Sequence, residues 1–375
     1  MMGVGLAPFL VIAGSAVVVY ALVGYSLLLL IWGRLAPKPI RRAPIEPTVS
    51  VLIPVRNGER WISAKLESVF ALRYSRSKLQ VIVISDGSTD GTAAIAAQFP
   101  EVEFLALPPG GKCLALNAGM ARATGEILFF TDVRQPLHPE CLANLVSNFA
   151  DPTVGVVSGE LVITSGDRQE HAHAGLYMRH EEWLRKQISK VGSVPGATGA
   201  CYAMRRRLAV PLPADILLDD VYQPVSAYLQ GSRVLLDGSA IAYDYPVNLG
   251  SEFRRKVRTL AGIYQIAYRF PALLDPRQSI WIHFLSHKLT RLMLPYAFLL
   301  ILVASFFLPD PWRGPLLGAQ ALFYGLALLD FLLPEGFPLK RFSSLVRTFL
   351  TLLVASAAAG SIMFRSSREL WSERR

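Results

Sequence analysis

Residues 7–32 (APFLVIAGSAVVVYALVGYSLLLLIW) carry no charged side chain. A run of this kind satisfies its backbone in lipid only as a helix, and it is long enough for the ~30 Å hydrocarbon core of a bilayer. A transmembrane span is expected there. A cleaved signal peptide is the competing reading, and the length of the run, the missing early basic region and the lack of a convincing cleavage site speak against it. Arg34, Lys38, Arg41 and Arg42 follow at once, and the positive-inside rule puts the domain after them in the cytoplasm.

The remaining chain is too long for one ordinary domain, so two or more structural regions are expected from 375 residues. Apolar residues make up 52% and charged residues 18%, with a mean hydropathy of +0.37, the balance of a chain partly in lipid. The net charge of +10 would also suit a nucleic-acid binder, but no basic motif interleaved with aromatics supports one. Anionic lipid headgroups and a polyphosphate substrate are the expected partners. Cys113, Cys141 and Cys201 lack metal-ligand spacing and read as reduced cytosolic thiols.

After a Pro-rich linker (Pro37 to Pro47), Thr48–Pro54 and Gln80–Ser85 read as strands, each followed by a turn and a helix-length segment. Phe104–Leu107 and Glu126–Thr131 add two more. The alternation implies a mostly parallel sheet with helices on both faces, an α/β domain. Asp86 and Asp132 fall at the C-terminal ends of their strands, where open α/β sheets bind ligands. Further on come a helix over Pro139–Phe149, strands near Val154–Ser158 and Glu160–Thr164, and a long polar helix from Arg168 to Lys190. The Gly-rich stretch Pro195–Ala200, the pair Asp219-Asp220 and a basic helix over Glu252–Gly262 follow. His171, His173 and His180 have no metal-ligand context.

From Ser279 the character changes. Trp281–Arg291 mixes aromatic, aliphatic and basic residues as a helix in the membrane interface does. Leu292–Leu308, Pro315–Leu333 and Leu345–Phe364 read as three spans. Lys340, Arg341 and Arg347 place the second loop in the cytoplasm, and Arg365, Arg368, Arg374 and Arg375 place the C-terminus there too. Both cannot hold if every segment crosses once, so either the last run is a re-entrant or surface hairpin or the C-terminus lies outside.

Seven motifs in order, SVLIPVRNGE, ISDGSTDGT, GKCLALNAG, FFTDVR, GACYAMRRR, LLDD and FRRKVRTLAG, resemble those of the family 2 glycosyltransferases, in the membrane-bound branch similar to cellulose and hyaluronan synthases. The resemblance covers about residues 48–270 and implies a GT-A fold, a Rossmann-like nucleotide-diphospho-sugar transferase domain flanked by transmembrane α-helices. The division expected is an N-terminal span in residues 1–35, the GT-A domain in 48–270, and an interfacial helix with membrane helices in 278–375.

What the resemblance implies about residues can be set beside their chemistry. Donor binding falls to Pro54, Glu59, Asp86, Lys112, Asn117, Asp132 and Arg134. Asp86 accepts from a base N–H or a ribose hydroxyl, and Lys112 at a helix start faces an anionic diphosphate. Asp132 begins the family's D-x-D element, which holds a divalent cation, Mg²⁺ or Mn²⁺. Here Arg134 replaces the second carboxylate. One carboxylate plus phosphate oxygens can still hold Mg²⁺, while Arg134 can itself pair with the diphosphate, so metal dependence is expected to be reduced or altered.

Catalysis falls to Asp220 as general base, with Asp219 in support, and to Arg255 and Arg258 on the leaving diphosphate. Thr259 stands where the family has Trp. Gly199, Ala200, Cys201 and Tyr202 are expected to wall the acceptor side. The function implied is inverting transfer of a sugar from a nucleotide-sugar donor, UDP-linked, to a membrane-associated saccharide or lipid acceptor. Processive polymer synthesis and single-sugar transfer to a lipid both remain open. The alternative is a catalytically impaired accessory subunit of a membrane polysaccharide synthase that keeps the fold.

Overall fold

The computed structural model describes residues 3–163, 169–245, 249–334 and 336–363. Thr164, Arg168, Phe364 and the terminal Arg365, Arg368, Arg374 and Arg375 lie outside the described residues, as do the side chains of His171, His173 and Glu252. The chain divides into two compact units, a sheet unit of residues 32–165 and 182–246 and a helical unit of residues 1–31, 166–181 and 247–375.

The uncharged N-terminal run forms α1 (Gly3–Val19), a π-helical turn (Tyr20–Gly24) and α2 (Tyr25–Leu35). The helical stretch Gly5–Leu35 is long and apolar enough to cross a membrane.

In the sheet unit the order is β1 (Val49–Val55), α3 (Glu59–Phe70), β2 (Leu79–Asp86), α4 (Thr92–Ala96), β3 (Val102–Leu107), α5 (Lys112–Arg122), β4 (Ile127–Phe130), α6 (Cys141–Ser147), β5 (Val154–Ile163), α7 (Gln169–Val191), which begins in the helical unit, β6 (Tyr202–Arg205), α8 (Asp219–Leu229) and β7 (Arg233–Asp244). The seven strands form one sheet in the order β3-β2-β1-β4-β6-β5-β7. β1, β2, β3 and β4 run parallel, β5 pairs parallel with β7, and β6 runs antiparallel to both β4 and β5. The strand order reverses between β1 and β4, which makes their C-terminal ends the place where a ligand crevice opens.

Pro54 sharpens that crevice. A proline cannot donate to a ladder, and in a central strand it needs a flank without a partner. The Leu52 carbonyl accepts from Thr131 N at 3.2 Å, so Pro54, two residues on, faces the same flank. There β4 has already ended at Phe130. On the other flank β1 stays paired with β2 through Val55.

Two expectations about strands are corrected. Val154–Ser158 and Glu160–Thr164 were expected as separate strands, but Val154–Ile163 is continuous. Gly159 does not interrupt it. Its N–H donates to Cys201 O at 2.8 Å, and a Cβ there would stand 2.4 Å from Cys201 Sγ, so the residue marks close backbone approach rather than a turn. The second is β7, which the sequence conceals behind Asp237-Gly238-Ser239. Asp237 Oδ1 accepts from Ser239 N at 3.0 Å and Ser239 Oγ at 2.6 Å, a local turn that the strand absorbs as a shift in its register with β5.

The core lies against β1, β2, β4 and β6 and includes Leu66, Val69, Phe129, Leu142, Leu145 and Ala203, all without exposure. The three cysteines are free and buried, with Cys141 and Cys201 sulfurs 3.2 Å apart.

The helical unit continues with α9 (Leu249–Arg269), α10 (Trp281–His283), a π-helical turn (Phe284–Leu289), α11 (Thr290–Ser305), α12 (Arg313–Leu329) and α13 (Lys340–Ala359). The interfacial helix expected over Trp281–Arg291 is not separate, since Trp281–Ser305 is a single helical stretch of 25 residues. Its polar side chains find partners inside the unit instead of a water interface. Tyr25 Oη lies 2.9 Å from His283 Nδ1, and Glu181 takes His287 at 2.9 Å, Lys288 at 3.8 Å and Arg291. Trp281–Ser305 and Lys340–Ala359 are, with the N-terminal helix, long and apolar enough to span a membrane. α12, at 17 residues, is shorter.

Asp330 closes α12 as a fully buried carboxylate. Its oxygens accept from Ser343 Oγ at 2.6 Å and Ser344 Oγ at 2.9 Å and pair with Arg347 at 2.9 Å and Lys340 at 3.5 Å. Removing one member of a buried charge cluster strands the others. Asp330→Ala should therefore cost about 3–5 kcal/mol, whereas Ser343→Ala should cost about 1 kcal/mol, both read from chemical unfolding in detergent.

Candidate functional site

Three loops meet at the C-terminal edge of the parallel strands, and a lattice of short hydrogen bonds sews two of them together. Asn57 N donates to Ser88 Oγ at 3.0 Å and Asn57 Oδ1 accepts from Thr89 N at 2.9 Å. Gly58 N donates to Thr92 Oγ1 at 2.9 Å. Glu59 N donates to Asp90 Oδ2, and Glu59 Oε2 accepts from Gly91 N, both at 3.0 Å. The expected donor ligand Glu59 is thus a clamp between the loops after β1 and β2.

Asp86, at the last position of β2, is 6% exposed. Its Oδ1 accepts from Gly110 N at 2.6 Å and Gly111 N at 2.9 Å, so the carboxylate shapes the loop that delivers α5. Gly111, at φ 96°, takes a backbone conformation that side chains disfavour and turns the chain into that helix.

Lys112 occupies the first position of α5. The helix dipole disfavours a cation there, and the compensation comes from carboxylates. Its ammonium lies 3.0 Å from Asp132 Oδ1 and 3.2 Å from Asp219 Oδ1. Burial acts to lower its pKa, but the charges of Asp132, Asp219 and Asp220 outweigh burial and raise it well above the ordinary value. Lys112 stays an ammonium at any physiological pH.

Asp132 follows the end of β4, with its side chain 38% exposed. Asp219 and Asp220 open α8, where the dipole favours anions. Asp220 Oδ2 accepts from Gly199 N at 3.2 Å, and its backbone carbonyl accepts from Ala197 N at 2.7 Å. The segment leading to this pair is fastened to α5. Asn117 exchanges two hydrogen bonds with the Leu212 backbone, each 2.8 Å, and Cys113 Sγ donates to Ile216 O at 3.3 Å. Asn117, expected on the donor, therefore fixes α5 to the approach of α8.

The four residues expected on the acceptor side are placed differently from one another. Cys201 and Ala200 turn into the core, beside Cys141 and under the hydroxyl of Thr131, which donates to Ala200 O at 2.7 Å. Tyr202 is fully buried and stacked on Phe130, with ring centroids 4.6 Å apart. Burial first, and then the charges of Asp219, Asp220 and Asp132, push its phenol far above the usual range. Of the four residues, Gly199 touches Asp220 and Tyr202 lies within the field of the carboxylates.

Arg134 has a partner within the protein. It was expected to pair with a diphosphate, but its guanidinium donates to both oxygens of Asp244, at 2.5 and 2.7 Å. Asp244 has a side chain only 4% exposed, so the arginine neutralises a carboxylate that could not otherwise be buried. Sequence reasoning missed Asp244 because it missed β7, which carries it. Arg255 and Arg258 belong to α9 of the helical unit.

Lys65 was also missed. It is fully buried in α3 and donates to Thr131 Oγ1 and to Gln135 O, both at 2.6 Å. A signal was present, because Lys65 shares a helical stripe with Ile62, Leu66 and Val69, all buried.

Residues 50–210 match the family described as Glycosyl transferase family 2. Among curated proteins, the chain is similar to the "Probable glycosyltransferase YdaM" of Bacillus subtilis, 26% identical over 60% of this chain and 57% of that protein. It is similar to glycosyltransferase AglE of Haloferax volcanii, 36% identical over 38% of this chain and 49% of that protein. It is also similar to the poly-β-1,6-N-acetyl-D-glucosamine synthase of Staphylococcus aureus, 24% identical over 59% and 56%. The chain spans about half the length of these relatives. Among solved structures, the mannosyltransferase PcManGT from Pyrobaculum calidifontis, in complex with GDP-Man and Mn²⁺, has the same fold, with a TM-score of 0.72 and 24% identity over 95% of this chain and 99% of that one.

If Arg134 is chiefly the counter-ion of Asp244, its loss is felt in stability. Arg134→Ala should destabilise the protein by about 3 kcal/mol, the low end for breaking a buried pair because the arginine is part-exposed, as read from urea unfolding. A variant as stable as the parent would return Arg134 to the donor site.

Proposed function

We propose that this chain, whose residues 50–210 belong to glycosyl transferase family 2 and form an α/β domain of the GT-A fold, is an inverting glycosyltransferase. It moves a sugar from a UDP-linked donor to a saccharide or lipid acceptor at the membrane. The observation that carries the reading is Lys112, which gathers Asp132 and Asp219 around one ammonium beside Asp220 at the C-terminal edge of the sheet.

In this mechanism Asp220 accepts the proton of the acceptor hydroxyl as the oxygen attacks the anomeric carbon in line. Its carboxylate is oriented by the Gly199 N–H. The nucleoside diphosphate departs on the opposite side, and Lys112 at the head of α5 meets the charge that develops on it. Asp86 sets the loop against which the nucleotide rests, through Gly110 and Gly111.

Among the described residues no group of three or more His, Cys, Asp or Glu converges on one point. A divalent cation nonetheless fits the residues present, since Asp132 and Asp219 already serve a single cationic position and Mg²⁺ or Mn²⁺ usually needs only one or two carboxylates besides phosphate oxygens. Such an ion would neutralise charge on the departing diphosphate. With Arg134 engaged by Asp244, altered rather than absent metal dependence is the reading, and transfer that vanishes in EDTA and returns fully with Mg²⁺ or Mn²⁺ alike would count against it.

The three apolar helices support an integral membrane protein, and Arg34, Lys38, Arg41 and Arg42 support a sheet unit on the cytoplasmic side. The relatives named for N-acetylglucosamine polymers and transfer make UDP-N-acetylglucosamine the first donor to assay, with GDP-mannose as its competitor.

The decisive experiment measures nucleotide release by purified protein in detergent with each donor, for the parent and for Asp220→Asn. The substitution should lower turnover by roughly 100- to 10,000-fold and leave nucleotide affinity nearly unchanged. Full turnover in Asp220→Asn would remove the base assignment. Nucleotide binding with no release from any donor would favour an accessory subunit.

A further inference from the structure

Among the described residues of the sheet unit, Lys65 is the one charged side chain with no exposure at all. Its ammonium meets a hydroxyl and a carbonyl, Thr131 Oγ1 and Gln135 O, rather than a carboxylate. An ammonium buried among neutral acceptors is costly, and a methionine would fill the same space without that cost. The two acceptors are informative. Thr131 immediately precedes Asp132 and Gln135 lies three residues beyond it, so one nitrogen ties together both ends of the turn that presents Asp132.

The tie continues across the sheet. Thr131 Oγ1 receives from Lys65 and donates to Ala200 O at 2.7 Å, and Gly199, next in sequence, donates to Asp220. Hydrogen bonds from α3 and the end of β4 therefore reach the Gly199–Ala200 backbone segment, which also touches the proposed base. The other groups facing Lys65 are the thiols of Cys201, before β6, and Cys141, on α6, with the charge of Asp132 beyond the turn. None is a partner carboxylate in contact.

We propose that Lys65 is a positioning residue of the donor site, whose ammonium holds the Thr131–Gln135 turn so that Asp132 is presented for nucleoside-diphosphate binding. The inference rests on the glycosyltransferase reading and deepens it. Burial pulls the pKa of Lys65 down to about 8, against the opposing influence of Cys201, Cys141 and Asp132. The charged form, which makes the tie with full strength, is therefore complete below that pH and is lost above it.

The test is calorimetric titration of UDP, and separately GDP, with MgCl₂ into the full-length protein in detergent at about pH 6.5 and about pH 8.8, below the pH at which the bases lose their own protons. The parent should bind about tenfold more weakly at the higher pH, and Lys65→Met should bind about tenfold more weakly at the lower pH with no further loss at the higher. Thermal melts accompany both proteins, and Lys65→Gln replaces Lys65→Met if the latter is not folded. A merely structural lysine would change the melt without flattening the pH response. A folded variant with the parent's affinity and pH response overturns the assignment of Lys65 alone. A parent protein that binds neither nucleotide overturns the transferase reading, and this inference with it.

Discussion

The arrangement at the edge of the sheet depends on one cation held among three anions. Asp132 and Asp219, at 3.0 and 3.2 Å from one ammonium, would repel one another without it, and Lys112 relieves that repulsion while sitting at a helix end that by itself disfavours positive charge. The cation is thus placed where it would be unfavourable alone, and the carboxylates around it make the position favourable. The same ion pairs leave an ammonium and carboxylates gathered at the C-terminal edge of the sheet, the chemistry on which the proposed transfer rests.

Much of this could be read from the residues. Asp86 and Asp132 stood at strand ends because short apolar runs stop abruptly there, and the parallel core of the sheet followed from strands alternating with helices. Lys112 and the Asp219-Asp220 pair were named from motif positions. What escaped was which loops these side chains hold together. Glu59 and Asn117 have the right chemistry for donor binding and the right neighbourhood, but their hydrogen bonds go to Gly91 and Leu212. Spacing along a chain does not report which of two nearby loops a side chain will choose.

The partners of Arg134 and of the histidines in Trp281–Arg291 were hidden for a related reason, because they are distant in sequence. Asp244 lies 110 residues from Arg134, in a strand whose Asp-Gly-Ser insertion resembles a turn. His283 and His287 looked like water-facing residues of a surface helix, yet Tyr25 and Glu181 reach them from 258 and 106 residues away in the chain. Long-range pairing of polar groups overrides the local pattern wherever a buried acceptor is waiting. Lys65 is the same lesson inverted, a charge on an apolar stripe whose acceptors are backbone and hydroxyl.

Pro54 has a consequence of its own. Two neighbouring strands of a parallel sheet tend to keep pairing until something stops them, and a gap between them is a standing invitation to zip shut or to recruit a stray extended segment. By withholding its amide on the flank facing the end of β4, Pro54 makes that gap chemically unable to close along its length. The opening is therefore maintained by an omission, a missing donor one residue from the C-terminal end of β1, rather than by any group that props it apart.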